Sequence, residues 1–324
     1  MTNDQVQSYI AHIPSALEHE VMSKHTSYHA GGAARLYVAA NSSAELWLAV
    51  HTALELNLPW YVFGGGTNLL VADTGFEGVM IQAANRGVEI QETTVKLESG
   101  MITVSAARKI VDAGLTGFEW AVGLPGTIGG AVYGDAGCYG GEMRQVIASV
   151  DAYRMKDRER VTLSNQDCQF DYRESLFKHE PHLILGCQLE LKKALDPVAS
   201  RARLNEILAE RKADQPLGSL SAGCIFKNPK VTQEQVDYLV QRGYMPKFGH
   251  DSRAHISAGW LVETAGMMSE RVGEVEVSDK HGNFFLSKPG VRTQDIIALI
   301  SLVKMKVRDD LGIELQEEVQ YVGF

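Results

Sequence analysis

Trp60-Tyr61-Val62-Phe63-Gly64-Gly65-Gly66-Thr67-Asn68-Leu69-Leu70 sets a short aromatic and β-branched run directly against three consecutive glycines. The first four residues read as a buried strand, and the glycines as the loop into which it runs. Backbone N–H groups in that loop are unshielded by side chains and positive φ is open to them. Such a loop can form an anion-binding nest, to which Thr67 and Asn68 add polar groups. It is not a dinucleotide fingerprint, because Leu69 stands where GxGxxG needs its third glycine and no capped helix follows. It is not a Walker loop either. Taken alone, the segment is explained equally well as a glycine-rich hairpin turn.

A second segment, GLPGTIGGAVYGDAGCYGG at 123–141, holds eight glycines in nineteen residues. Leu124, Ile128, Val132 and Tyr133 distinguish it from a disordered linker, since they require partial burial. Burial at such glycine density implies something large lying against bare backbone, and a flat ring system with a diphosphate meets that description.

Working outward, Ser42 and Glu45 form a capping box ahead of Leu46, Val50, Ala53 and Leu54, which predicts a helix ending near Asn57. Short alternating stretches at Val79 to Gln82, Val88 to Ile90, Val95 to Glu98 and Ile102 to Val104 predict sheet, followed by a helix from about Ser105 to Ala113 stopped by Gly114. Strands are expected again at Val146 to Met155 and Leu183 to Leu191. Beyond Asp196-Pro197 the pattern turns helical: Leu204, Ile207 and Leu208 mark one helix, and Thr232 with Gln235 caps another. A final amphipathic helix, Thr293 to Leu311, is closed by Gly312, and Ile313 to Val322 is expected to return as a strand.

A chain of 324 residues suggests two or three domains. Its 45% hydrophobic and 22% charged residues suit a folded globular protein. A net charge of −9 argues against a general nucleic-acid binder. Met1 to Glu20 lacks the basic start and apolar core of a signal peptide, and no run approaches membrane-spanning length. Cys138, Cys168, Cys187 and Cys224 lie far apart with no zinc-type spacing, and His25 with His29 lacks the glutamate of a zinc protease motif. A monomer of the reducing cytoplasm with free thiols is expected, with no metal, nucleic-acid or membrane partner.

Three further segments carry polar residues that a core would not ask for: FDYRESLFK at 170–178, SAGCIFKNP at 221–229 and LQEEV at 315–319. Singly, Arg173 reads as a surface ion pair, Cys224 as an inert buried thiol and Glu318 as a solvated strand charge. In order with HTSYHAGG (25–32), the two glycine segments, SAGWLVETAG (257–266), VSDKHGNFF (277–285) and EEVQYVG (317–323), they closely resemble the UDP-N-acetylenolpyruvoylglucosamine reductases, flavoenzymes of peptidoglycan precursor synthesis. The resemblance runs from about His25 to Gly323.

The resemblance implies an NADPH-dependent, FAD-mediated reduction of the enolpyruvyl group of a UDP-sugar. Hydride arrives at C3, and carbanion-like charge appears at C2 and spreads into the neighbouring carboxylate. That chemistry needs a preorganised cation and a proton donor. By motif, Arg173 supplies the charge, Cys224 stands where the family's proton donor stands, and Glu318 assists the enol-like intermediate. Non-covalent FAD is expected on Gly64, Gly65, Gly66, Thr67, Asn68, Leu69, Gly123, Pro125, Gly126, Thr127, Gly129, Gly130, Ala131 and Gly137. Tyr172, Arg211, Lys227, Asn228, Lys280 and His281 are expected on the UDP-sugar. The alternative is a flavin-dependent oxidase of the same FAD-binding superfamily.

Several positions depart from the family. Its donor is commonly serine, and here it is Cys224, whose thiol, with an ordinary pKa of about 8.5, releases a proton more readily than an alcohol. Gly134-Asp135 replaces a usual methionine and asparagine, placing a carboxylate near the flavin region, and His29-Ala30 replaces a usual arginine and isoleucine. Between Lys178 and Ser221 the chain lacks an insertion that one subgroup carries. The implied fold is α+β: a two-lobed FAD-binding module of the PCMH/vanillyl-alcohol-oxidase type plus a C-terminal α+β substrate domain. Residues 1–78, completed by 313–324, form the first lobe, 79–200 the largely β second lobe and 201–312 the substrate domain, with the C-terminal strand delivering Glu318.

Overall fold

The computed structural model describes residues 1–216, 218–249 and 255–324. The chain divides into two compact units, one of Met1–Glu20, Ala34–Gly65 and Phe76–Glu210, the other of Val21–Ala33, Gly66–Gly75 and Arg211–Phe324. The chain passes from the first to the second inside the triple glycine.

In the first unit, a four-stranded sheet runs in the order Leu17–Val21, Ala33–Ala40, Phe76–Ala83, Trp60–Phe63. Ala33–Ala40 and Trp60–Phe63 both pair parallel with Phe76–Ala83. Trp60–Phe63 is an edge strand in which only Phe63 is buried, so the buried strand expected here is a partly buried one. Helix Ser43–Glu55 packs Leu46, Ala49, Val50 and Ala53 into a core shared with Leu36, Val38, Val79 and Ile81. Ser42 caps it, its Oγ accepting the N–H of Glu45 at 3.1 Å, but Glu45 accepts from Asn41 rather than closing a reciprocal box on Ser42.

The same unit holds a five-stranded antiparallel sheet in the order Glu159–Ser164, Ile147–Arg154, His182–Glu190, Thr94–Glu98, Val88–Gln91. The predicted strand at Ile102 to Val104 is instead the start of helix Thr103–Asp112. Thr103 explains the change: its Oγ1 donates to the carbonyls of Leu124 (2.5 Å) and Gly126 (3.2 Å), fixing a helix start where β-branched residues suggested sheet. Gly114, at φ +77, ends that helix as expected.

The second unit packs helix Thr293–Leu311 and helix Ala258–Thr264 around one apolar core, beside a three-stranded antiparallel sheet of Arg271–Val272, Val275–Val277 and Phe285–Ser287. Gly312 terminates the long helix at φ +70. At its other end Asp73, 220 residues earlier in sequence, accepts the N–H groups of Thr293 (2.8 Å) and Gln294 (3.2 Å). Only Gln320–Val322 of the expected C-terminal strand is strand, and it pairs parallel with Leu69–Val71.

Candidate active site

In the first unit Gly64 of one glycine segment lies directly against Thr127 of the other. Thr127 precedes helix Ile128–Tyr133 but makes no capping bond, and its Oγ1 is buried without a hydrogen-bond partner. A Cβ on Gly64 would lie 2.0 Å from that oxygen, so no side chain fits at 64 while Thr127 keeps its place. Gly65, Pro125 and Gly130 are exposed, whereas Leu69 and Ala131 are buried.

The sequence attributes the glycine density of 123–141 to a large ligand, and in the structure several of these glycines also pack closely against the chain itself. A Cβ on Gly123 would strike the Tyr139 ring at 2.5 Å, on Gly129 Ser99 at 2.9 Å, on Gly137 the Gly141 carbonyl at 2.5 Å, and on Gly141 the Trp120 ring at 2.1 Å. Gly126 and Gly140 take φ of +104 and +84, which disfavours other residues. Beside Gly130 and Gly134 a Cβ would meet nothing nearer than 3.8 Å, and beside Gly140 nothing within 4 Å. Close packing of the chain on itself thus accounts for four of the eight glycines, and backbone conformation for two more.

Asn85, which the sequence did not flag, anchors this packing. Fully buried, it accepts from Ser99 Oγ (3.1 Å) and Gly100 N (2.9 Å), and Ser99 in turn accepts the Gly129 N–H at 2.7 Å.

The YRESLFK segment lies on the same glycine block. Asp171 and Glu174 exchange backbone hydrogen bonds at 3.1 and 2.8 Å, closing a turn with Tyr172 and Arg173 at its tip. Arg173 sits at φ +55, a strained conformation for a residue with a Cβ. Ser175 Oγ donates to the Tyr133 carbonyl at 2.6 Å, and Arg173 Nη2 donates to the Gly137 carbonyl at 3.1 Å. The guanidinium lies 5.1 Å from the Tyr172 ring centre, and Lys178 donates to the Arg173 carbonyl.

Asp135 is 1% exposed and sits at φ +40. Its Oδ1 accepts the Arg144 N–H at 2.8 Å, while Oδ2 lies 3.5 Å from Arg144 Nη1 and accepts no hydrogen bond. Burial pushes its pKa from 3.8 up to about 6, opposed by the Arg144 N–H and charge and by Arg173.

In the second unit, the stretch after Cys224 threads between two others. Ile225 N donates to the Asn283 carbonyl at 2.9 Å, and Glu318 N donates to the Ile225 carbonyl at 2.7 Å. Cys224 and Phe226 bridge to Phe284 and Glu317 respectively. Asn68 joins them, its Nδ2 donating to the Glu318 carbonyl at 3.0 Å and its carbonyl accepting Gln320 N at 2.9 Å. Gly66 at φ +62 permits this entry, since a Cβ there would lie 1.9 Å from the His25 carbonyl. Of the paired glutamates, Glu317 is held by Lys304 at 3.0 Å.

The remaining expected residues serve the framework of this unit. Asn228 Oδ1 accepts the Ala258 N–H at 2.9 Å at the start of a helix, and Lys227 N donates to Gln316 O at 2.9 Å. Lys280 Nζ donates to the carbonyls of Lys212 (2.8 Å) and Gln215 (3.1 Å), satisfying the C-terminal end of helix Pro197–Asp214. Arg211 Nε donates to Gln215 Oε1 at 3.1 Å. His281 Nδ1 accepts the Asn283 N–H at 3.2 Å, and burial lowers its pKa. Asn283 was missed. Buried within VSDKHGNFF, its side chain pairs with both the N–H (2.9 Å) and the carbonyl (2.8 Å) of Phe226.

A family model described as UDP-N-acetylenolpyruvoylglucosamine reductase, C-terminal domain, matches residues 215–322, and one described as FAD binding domain matches residues 34–162. Curated relatives named UDP-N-acetylenolpyruvoylglucosamine reductase from Chloroflexus aurantiacus and Chloroflexus aggregans are 38% and 36% identical, each over 94% of this chain and 96% of theirs. The chain belongs to the UDP-N-acetylenolpyruvoylglucosamine reductase family. The crystal structure of the UDP-N-acetylenolpyruvylglucosamine reductase of Thermus caldophilus matches it with a TM-score of 0.72 at 26% identity, over 95% of this chain and 98% of that one. The reductase fold and the α+β class are therefore established for this chain. Among the described residues, no helix is long and apolar enough to cross a membrane, and no cluster of His, Cys, Asp or Glu could hold a metal ion.

Proposed function

We propose that this chain reduces the enolpyruvyl group of UDP-N-acetylglucosamine enolpyruvate to the lactyl ether of UDP-N-acetylmuramate, using FAD and NADPH in the cytoplasm as a monomer. The observation that carries the reading is the joining of family motifs distant in sequence: Arg173 on Gly137 in the first unit, and Glu318 on Ile225, next to Cys224, in the second.

The residues present fit a diphosphate-bearing flavin. Thr127 offers a buried hydroxyl without a partner, Gly64 leaves room for that hydroxyl, and Gly130 and Gly134 present open backbone. Gly64, Gly65, Gly66, Thr67, Asn68 and Leu69, with Gly123, Pro125, Gly126, Thr127, Gly129, Gly130, Ala131 and Gly137, form its binding segments. FAD supplies hydride transfer from NADPH to C3 of the enolpyruvyl group. Residues 1–78 with 313–324, and 79–200, are assigned to flavin, and 201–312 to the UDP-sugar.

Arg173 stabilises the negative charge that grows on the substrate carboxylate as C3 gains hydride. Its strained backbone, the Gly137 carbonyl and the Tyr172 ring help to hold the guanidinium in place. Cys224 then donates its thiol proton to C2, completing the addition of hydride at C3 and proton at C2, and Glu318 supports the enol-like intermediate. Tyr172, Arg211, Lys227, Asn228, Lys280 and His281 are assigned to the UDP-sugar side, with Asn228 and Lys280 also tied into the framework. Single turnover of prereduced Cys224→Ala by the enolpyruvyl substrate tests the donor. Reoxidation slowed at least tenfold supports it, and an unchanged rate removes Cys224 from the role.

A further inference from the structure

We propose that Gly223 is a positioning residue for Cys224: with Ser287 it holds a one-residue β-bulge, Ser221 to Gly223, that sets the face of the strand pairing on which the Cys224 thiol emerges. The proposal rests on the reading of Cys224 given above.

The bulge follows from register. Leu220 bridges to Ser287 and Cys224 to Phe284, both antiparallel. Between those bridges three residues, Ser221, Ala222 and Gly223, stand opposite two, Phe285 and Leu286. Side chains alternate faces along a strand, so one extra residue turns those that follow it to the opposite face. Exposure agrees with that turn. Ala222 is 4% exposed and packs in the core, whereas Cys224, two residues on and on the same face of any regular strand, is partly exposed.

Both ends of the bulge are fastened. The Leu220 carbonyl accepts the Ser287 N–H at 2.9 Å, and the buried Ser287 hydroxyl lies 3.2 Å from the same carbonyl and 3.1 Å from that of Tyr28. On the other side, Ile225 N donates to the Asn283 carbonyl and Phe226 N to the Asn283 side chain, each at 2.9 Å. The extra residue must be absorbed between these anchors. Gly223 absorbs it at φ +78, its N–H donating to Ser221 Oγ at 3.4 Å. A Cβ on Gly223 would meet nothing within 4 Å, so backbone conformation alone is what disfavours a side chain there.

The test is stopped-flow reoxidation of prereduced enzyme over a range of enolpyruvyl UDP-sugar concentrations. Gly223→Ala should lower the saturating rate at least about fivefold, the factor set by the positive φ that alanine resists, with half-saturation unchanged. Gly223→Asn should recover most of the parent rate, because asparagine accepts positive φ although it is the larger residue. Ser287→Ala, which keeps the backbone pairing and loses only the hydroxyl, should also lower the saturating rate. A Gly223→Ala rate equal to the parent's overturns the proposal, as does a change confined to half-saturation. So does a Gly223→Asn variant slower than Gly223→Ala, which would mark crowding in place of backbone conformation. Should Gly223→Ala not fold, a Ser287→Ala variant at the parent rate overturns it. Cys224→Ala separates the two claims. If it reoxidises as fast as the parent, the reading of Cys224 fails and the proposal with it; if it is slow while Gly223→Ala keeps the parent rate, the proposal alone fails.

Discussion

Arg173 Nη2 donates to the carbonyl of Gly137 at 3.1 Å, fixing the cation of one segment to the backbone of another 36 residues away. The backbone of Arg173 is left-handed at φ +55, which costs about 1 kcal/mol for a residue with a Cβ. The strain is held by the paired backbone bonds of Asp171 and Glu174 and by Lys178 on the Arg173 carbonyl. Placing an arginine there, where glycine would be relaxed, marks the side chain as the reason for the turn.

Gly64→Ala should weaken FAD binding by roughly tenfold or more, because its Cβ would displace the Thr127 hydroxyl from 2.0 Å away. Flavin fluorescence titration of the apoprotein measures this. An unchanged affinity would show that the Gly64 and Thr127 contact has no part in the cofactor site.

Asn283→Ala should lower the unfolding free energy by about 2 to 4 kcal/mol, since both the N–H and the carbonyl of buried Phe226 lose their partner. Urea unfolding reads the change. The same variant should slow turnover, because Asn283 also fixes the strand register that sets Glu318 beside Ile225.

Asp135 makes a signed prediction for stability. Its folded pKa is raised from 3.8 to about 6, so between those values the folded state holds a proton that the unfolded state releases. Its contribution is therefore most favourable at low pH and is lost as pH rises to about 6. Asp135→Asn resembles the protonated carboxyl at every pH and should be more stable than the parent at pH 8 by on the order of 2 kcal/mol, the gap closing near pH 4. Denaturant midpoints at the two pH values check it. A variant less stable at pH 8 contradicts the burial argument.

The elements were legible wherever local chemistry set them: the Ser42 cap, Gly114 and Gly312 as helix stops, and the alternation of Leu183 to Leu191 all appear as read. Ile102 to Val104 misled because a β-branched run was captured by Thr103 bonding to Leu124 and Gly126, a partner loop invisible to periodicity. The glycine block was singled out as a ligand cradle, and Trp120, Tyr139 and Ser99 also press against its Gly141, Gly123 and Gly129, a packing that composition does not reveal. Asn85 and Asn283 escaped notice because a buried amide that satisfies backbone groups carries no sequence period. The close pairing of Asp135 with Arg144 lay beyond reading from the sequence for the same reason, although the departure at Asp135 did point to a carboxylate near the flavin region.

The central claim is that this chain carries hydride from NADPH through FAD to an enolpyruvyl UDP-sugar, and one anaerobic titration tests it most directly. NADPH should bleach the bound flavin at one equivalent, and the enolpyruvyl UDP-sugar should restore its colour at one equivalent without oxygen. Flavin that stays reduced until air is admitted would contradict the account and assign the chain to oxidase chemistry.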